Sequence, residues 1–230
     1  LNNLGSILTY IEKYEESKAI LNRSIEIHPS NAEALSNLGD IYRKLHEYEQ
    51  AIEQYKRAIQ IKPNYYEALN GMGLALTELK KYSEAKKILK QAIKVNPKFA
   101  EAYNNLGLYY EILNEYEQAV DHYKRAIQIK PNYYEALNNM GLALTELEKY
   151  DEAKKILKQA IKVNPKFAEA YNNLGNIYNE VKDYGKAKSY YRKVIELDPI
   201  FWKAYNNLGN VYWSMEEYNQ AILYYKKSIK

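Results

Sequence analysis

Seven glycines, Gly5, Gly39, Gly73, Gly107, Gly141, Gly175 and Gly209, stand 34 residues apart, and six prolines, Pro29, Pro63, Pro97, Pro131, Pro165 and Pro199, keep the same step. A chain in such register cannot fold as an arbitrary globule. A fixed period between about 20 and 50 residues marks a stack of similar units, each burying its apolar face against its neighbours.

Each period reads as two helices. From Ala32 to Leu45 the apolar residues Ala34, Leu35, Leu38, Ile41, Tyr42 and Leu45 recur at helical spacing. Ser30 and Asn31 precede them as candidate caps. His46-Glu47 reads as a turn, and Tyr48, Ala51, Ile52, Tyr55, Ala58, Ile59 and Ile61 form a second amphipathic run. Pro63 ends it, because proline lacks an amide hydrogen and restricts the residue before it. A glycine inside a helix costs about 1 kcal/mol relative to alanine, so seven of them in register predict close helix packing. Alanine twelve residues on (Ala51, Ala85, Ala119, Ala153, Ala187, Ala221) predicts the same, with Ser17 the one departure.

These slots identify the chain as similar to the tetratricopeptide repeat (TPR) family. The family's order of a large residue, Leu-Gly, Tyr, Ala, Tyr, Ala and Pro is met in AYNNLGLYYEILNEYEQAVDHYKRAIQIKP, from Ala102 to Pro131. The family's usual tryptophan is replaced by Leu35, Leu69, Tyr103, Leu137, Tyr171 and Tyr205. The resemblance implies an all-α solenoid, with antiparallel helix pairs stacked into a right-handed superhelix around a concave groove. It implies a single array over 1–230, with partial units at 1–31 and 202–230 and full units at 32–65, 66–99, 100–133, 134–167 and 168–201.

A second layer lies over the first. Residues 56–107 and 124–175 differ only at Gly71/Asn139, Lys80/Glu148 and Ser83/Asp151. A two-unit cassette was duplicated, and the two copies predict the same groove chemistry twice.

Composition narrows the function. The net charge of +4 is weak for a dedicated nucleic-acid binder. No cysteine is present, so disulfides and thiolate metal sites are excluded. No apolar run approaches the roughly 18 residues of a membrane span, and no targeting segment is visible, which predicts a cytoplasmic location. His28, His46 and His122 are scattered, with no second ligand at metal spacing. No phosphate loop or nucleophile motif appears, so no cofactor, metal or catalytic residue is expected. The 26 tyrosines read as interface packing. The stripes Lys86, Lys90, Lys94 and Lys154, Lys158, Lys162 read as a solvated helix face.

The candidate site is the polar side of each first helix, which lines the concave surface in the TPR family. Successive units read Glu135, Asn139, Leu142, Glu146, then Glu169, Asn173, Asn176, Glu180, then Lys203, Asn207, Asn210, Ser214. Three features recur. One is an asparagine ladder: Asn3, Asn37, Asn105, Asn139, Asn173 and Asn207, interrupted at Gly71, beside Asn70, Asn104, Asn138, Asn172 and Asn206. A primary amide both donates and accepts, so it suits a peptide backbone of any sequence. This resembles the TPR superhelix of O-linked N-acetylglucosamine transferases. The second is the acidic row Glu33, Glu67, Glu101, Glu135 and Glu169, where only Lys203 is basic; it favours basic segments over the acidic tails that a chaperone-type clamp holds. The third is an apolar strip, Leu74, Leu108 and Leu142. The expected function is a non-catalytic scaffold that binds a protein or peptide segment in the groove. Two alternatives stay open: a substrate-recruiting arm of a larger enzyme, such as a glycosyltransferase, and a self-assembling scaffold. In the last, homo-oligomers would form through the terminal repeats, where Tyr218, Ile222, Tyr225 and Ile229 need cover.

Overall fold

The computed structural model describes residues 1–229, and among them every regular element is an α-helix. The first helices of the pairs are α1 (Asn2–Tyr10), α3 (Ala32–Lys44), α5 (Tyr66–Glu78), α7 (Ala100–Ile112), α9 (Tyr134–Glu146), α11 (Ala168–Glu180) and α13 (Trp202–Ser214). The second helices are α2 (Tyr14–Ile27), α4 (Tyr48–Ile61), α6 (Tyr82–Val95), α8 (Tyr116–Ile129), α10 (Tyr150–Val163), α12 (Tyr184–Leu197) and α14 (Tyr218–Ser228). Packing divides the chain into two compact units, Leu1–Leu113 and Asn114–Lys230. Within the first unit α1–α2, α3–α4 and α5–α6 pack as pairs, within the second α9–α10, α11–α12 and α13–α14, and in each unit second helices also pack on the first helix of the next pair.

Glycine makes the close approach within a pair possible. A Cβ at Gly39 would lie 2.7 Å from the Tyr55 ring, at Gly73 2.6 Å from Leu89, at Gly141 2.6 Å from Leu157 and at Gly175 2.5 Å from the Tyr191 ring. The second helix thus lays a leucine or tyrosine directly on the backbone of the first. The recurrent alanines Ala51, Ala85, Ala119, Ala153 and Ala187 are fully buried beside it. Ser17, the exception, is also fully buried, and its hydroxyl donates to the Gly5 carbonyl at 2.6 Å. A buried hydroxyl with a partner replaces the methyl there at little cost.

The turn between paired helices has a conformation that the sequence pattern did not announce. Glu12, His46, Lys80, Asn114, Glu148, Lys182 and Glu216 all have φ between 57° and 62°. This left-handed residue ends the first helix: in the third pair from the C-terminus the Lys149 N–H reaches back to the Leu144 carbonyl at 2.9 Å, and in the next the Asp183 N–H reaches Tyr178 at 2.8 Å. Such six-to-one closure satisfies a carbonyl left over at a helix end. Asn31 caps α3 as expected, accepting from the Ala34 N–H at 3.1 Å, and Asp183 caps α12 in the same way.

The lysine stripes are partly structural. Lys86 lies over the Tyr110 ring at 5.0 Å, and Lys154 over Tyr178 at 5.7 Å with an ion pair to Asp151 at 2.7 Å. Tyr218 and Ile222 on α14, and Ile229 just after it, remain exposed.

Candidate functional site

The asparagine rows form bonds between neighbouring repeats. Asn70, Asn104, Asn138 and Asn172 are buried, as are Asn105 and Asn173. In the first unit Asn105 Nδ2 donates to Asn70 Oδ1 at 2.8 Å. In the second, Asn173 Nδ2 donates to Asn138 Oδ1 at 2.8 Å, and Asn207 Nδ2 to Asn172 Oδ1 at 3.1 Å. Asn37 donates to the Ser6 hydroxyl at 3.0 Å. The expectation that both rows hold their amides out to a ligand is therefore modified by geometry. Adjacent first helices lie side by side, and a buried amide needs a partner in the fold. Asn139, Asn206 and Asn207 are half-buried.

At the Gly71 interruption a neighbouring ring fills the gap. A Cβ there would sit 2.6 Å from Cζ and 2.7 Å from the hydroxyl oxygen of Tyr55. The outer end of the tyrosine ring takes up the space beside the glycine.

The remaining expected residues divide. Glu67 and Glu169 are exposed and Glu101 and Glu135 half-buried, at the starts of their helices. Leu74, Leu108 and Leu142 are each half-buried, so the apolar strip is neither covered nor fully open.

The second unit brings part of these rows together. A groove of about 500 Å³ is lined by residues of α9, α11 and α13, with Tyr191 from α12 at its floor. Leu142 and Thr145 supply one wall, Asn173, Asn176 and Asn179 the centre, and Asn207 and Asn210 the far wall. Glu146, Glu148, Tyr150 and Glu180 complete the lining. Tyr191 donates its hydroxyl to Asn176 Oδ1 at 2.9 Å, and Asn207 Nδ2 donates to the same oxygen at 3.1 Å. Burial pushes the Tyr191 phenol well above its ordinary range, and the charge of Glu180 adds to the effect. The phenol therefore stays protonated and remains a donor at every physiological pH. Asn176 spends its oxygen on these two donors and keeps its NH2 group. Asn179 Oδ1 is shielded from solvent and has no hydrogen-bond partner.

Of the lining residues, Asn173, Asn207 and Leu142 belong to the expected rows. Glu146, Asn176, Glu180 and Asn210 belong to the polar side read from the sequence but not to the three rows, and Asn179 and Glu148 are new. For Asn176 and Asn210 a signal was present: at three glycine contacts the residue after the glycine accepts from the tyrosine of the second helix, Asp40 from Tyr55, Asn176 from Tyr191 and Asn210 from Tyr225, although Leu108 follows Gly107 where α8 carries Tyr123. Where the second helix carries Leu89 or Leu157, that residue is Leu74 or Leu142. A buried phenol needs an acceptor and a leucine does not. Among the described residues no three histidines, aspartates or glutamates come together as a metal-ligand set, and no helix is long and apolar enough to cross a membrane.

Comparison with known proteins extends these observations. Family models described as TPR repeat match residues 39–79, 73–113 and 141–182. Models described as tetratricopeptide repeat match 100–133, 168–201 and 202–230, and further ones 20–53, 122–155 and 1–31. No curated protein matched the sequence. Among solved structures, a chain of the APC/C hetero-tetramer Cut9–Hcn1 superposes with a TM-score of 0.81 over 91% of this chain, at 18% identity. This chain spans 42% of that one. PilF of Pseudomonas aeruginosa matches at 0.73 and 24% identity, over 86% of this chain and 90% of its own. YrrB, a TPR protein with an unusual peptide-binding site, matches at 0.59 and 23% identity, over 80% and 95%. At such identities the likeness shows the fold. The matching repeats, the helix pairs and the glycine contacts together show that this chain belongs to the tetratricopeptide repeat family, whose arrays are typically protein–protein interaction scaffolds.

Proposed function

We propose that the chain is a non-catalytic scaffold and that the groove over α9, α11 and α13 receives an extended segment of a partner protein. The observation that carries this reading is the lining of that groove. It combines one apolar residue, Leu142, with amides that keep unspent donors and acceptors. Asn176 and Asn210 each give their oxygen to a tyrosine hydroxyl, which leaves two NH2 groups for backbone carbonyls. Asn173 gives its NH2 group to Asn138, which leaves its oxygen for a backbone N–H. Amides already held at one atom by the fold lose little freedom on binding, so most of the ordering cost falls on the ligand. The peptide-binding site of YrrB, on a similar fold, points to the same class of ligand.

Selection of random dodecapeptides displayed on phage against the immobilised protein tests the proposal. Selected peptides should bind about tenfold more weakly to Leu142→Ala, in line with the loss of an apolar contact. Their binding should also slow amide exchange in α9, α11 and α13. Peptides indifferent to Leu142, or a selection that yields none, would overturn it.

A further inference from the structure

The duplicated segments provide an internal comparison, because they differ at three positions only. Two of the differences are accounted for inside the fold. At Gly71 the outer end of the Tyr55 ring stands where a Cβ would lie. Asp151, in place of Ser83, is taken up by an ion pair with Lys154 at 2.7 Å. The third difference reverses a charge, with Glu148 where the other copy has Lys80. Both residues hold the same left-handed turn conformation, with φ of 57°, so the backbone does not distinguish them. Among the described residues the Glu148 side chain has no ion pair or hydrogen bond, while its backbone N–H donates to the Thr145 carbonyl, and it lines the groove of the second unit.

It is not alone there. Glu146 and Glu180 line the same groove and are exposed and unpaired, while no lysine, arginine or histidine lines it. Asn179, between them, holds an oxygen that is shielded from solvent and has no donor. Three carboxylates and an orphaned acceptor thus line one cavity, and no cationic side chain lines it. The opposite arrangement is common elsewhere in the chain: Lys13–Glu16, Lys186–Asp183 and Lys193–Glu196 all close their charges locally. Like charges left together at a cavity repel one another, and a cation relieves that repulsion as it binds.

From this we infer that the groove of the second unit contains a subsite for a lysine or arginine side chain of the partner segment. This rests on the reading that the groove holds a peptide, and it names the residue the peptide must carry. The cation sits among the carboxylates of Glu146, Glu148 and Glu180. Its donors reach Asn179 Oδ1 after a small rotation of that amide. The cavity of about 500 Å³ has room for such a side chain together with a stretch of backbone. An arginine supplies five donors to an acceptor-rich wall, and a lysine three.

The test uses the intact chain and the dodecapeptides selected on it. The protein variant is Glu146→Gln/Glu148→Gln/Glu180→Gln, which keeps shape and removes charge at three exposed positions. The expected result is that selected peptides share one arginine or lysine. Replacing it with citrulline or norleucine should weaken binding to the unchanged protein at least tenfold, and to the triple variant less than twofold. Glu148→Lys, which restores the residue of the other copy, should weaken the basic peptides and spare the neutral ones. The tenfold effect should shrink as sodium chloride rises from about 50 to 500 mM, because exposed charges are screened over that range. Peptides that respond to Leu142→Ala but carry no shared basic residue would overturn the inference and leave the groove reading intact. So would equal losses in the unchanged protein and the triple variant. A selection with no Leu142-dependent peptide would overturn both.

Discussion

Alanine placed at two glycines of the same repeat should act in opposite directions. Gly175 lies inside α11 and Gly185 in the first turn of α12. Helix propensity alone favours alanine at both, by up to about 1 kcal/mol. Packing separates them. A Cβ at Gly175 would meet the Tyr191 ring at 2.5, 2.8 and 3.0 Å, and that ring is 2% exposed with its hydroxyl bonded to Asn176. Something must shift by roughly 1 Å. Overpacking of this kind costs about 1–3 kcal/mol. Displacing the ring also strains or breaks its hydrogen bond, worth about 0.5–1.5 kcal/mol. The loss exceeds the gain, so Gly175→Ala should destabilise by about 1–3 kcal/mol. At Gly185 a Cβ meets only Asp183 Oδ1 at 3.8 Å, and the residue is exposed. Gly185→Ala should therefore stabilise, by about 0.5 kcal/mol in a first turn where propensity counts only in part. Urea unfolding followed at 222 nm supplies the midpoints. Amide exchange in α11 and α12 supplies the local free energy, which a repeat array requires because its units need not unfold together. A Gly175→Ala protein as stable as the unchanged one would show that the close helix contact is not what holds glycine in this slot. A destabilised Gly185→Ala would show that the effect is not packing at all.

Three further outcomes are expected. Lys182→Gly relieves a left-handed residue at φ 59° and should raise the urea midpoint by an amount worth about 0.5–1 kcal/mol, the steric penalty less glycine's greater chain entropy. Asn173→Ala leaves the buried Asn138 oxygen without its donor and should cost about 1–3 kcal/mol, read as lost exchange protection in α9 and α11. Asp40→Asn tests a carboxyl raised by partial burial, against the hydrogen bond from Tyr55 and the charge of Arg43. The raised group binds its proton more tightly in the fold than in the unfolded chain. It therefore costs the fold stability as pH rises from the ordinary carboxylate range through the raised value. The stability of Asp40→Asn relative to the unchanged protein should accordingly be greater at pH 7 than at pH 3, and a difference that is flat with pH would refute the assignment.

The helix pairs were legible because glycine and proline act through local sterics that recur with the period. The partners of the asparagines were harder to read, and the reason is geometric. Bonded pairs such as Asn70–Asn105, Asn138–Asn173 and Asn172–Asn207 are 35 residues apart, one more than the period. A reading aligned on the period sets equivalent residues in rows, as though each row faced outward together. The extra residue arises because neighbouring first helices face each other with adjacent, not equivalent, positions. Each row of amides thus spends part of its hydrogen-bonding capacity on the next row, and what a ligand meets is the remainder. That remainder depends on atoms: an asparagine whose NH2 is taken offers an acceptor, and one whose oxygen is taken offers donors. Sequence cannot display this, since Asn173 and Asn176 are the same residue type with opposite atoms left over. The acidic residues follow the same logic. Asp151 and Glu148 arose in one copy of the same cassette, and composition counts them alike. Only Asp151 finds a lysine in the fold. The charge that stays unmet at Glu148 is the one available to recognise a partner.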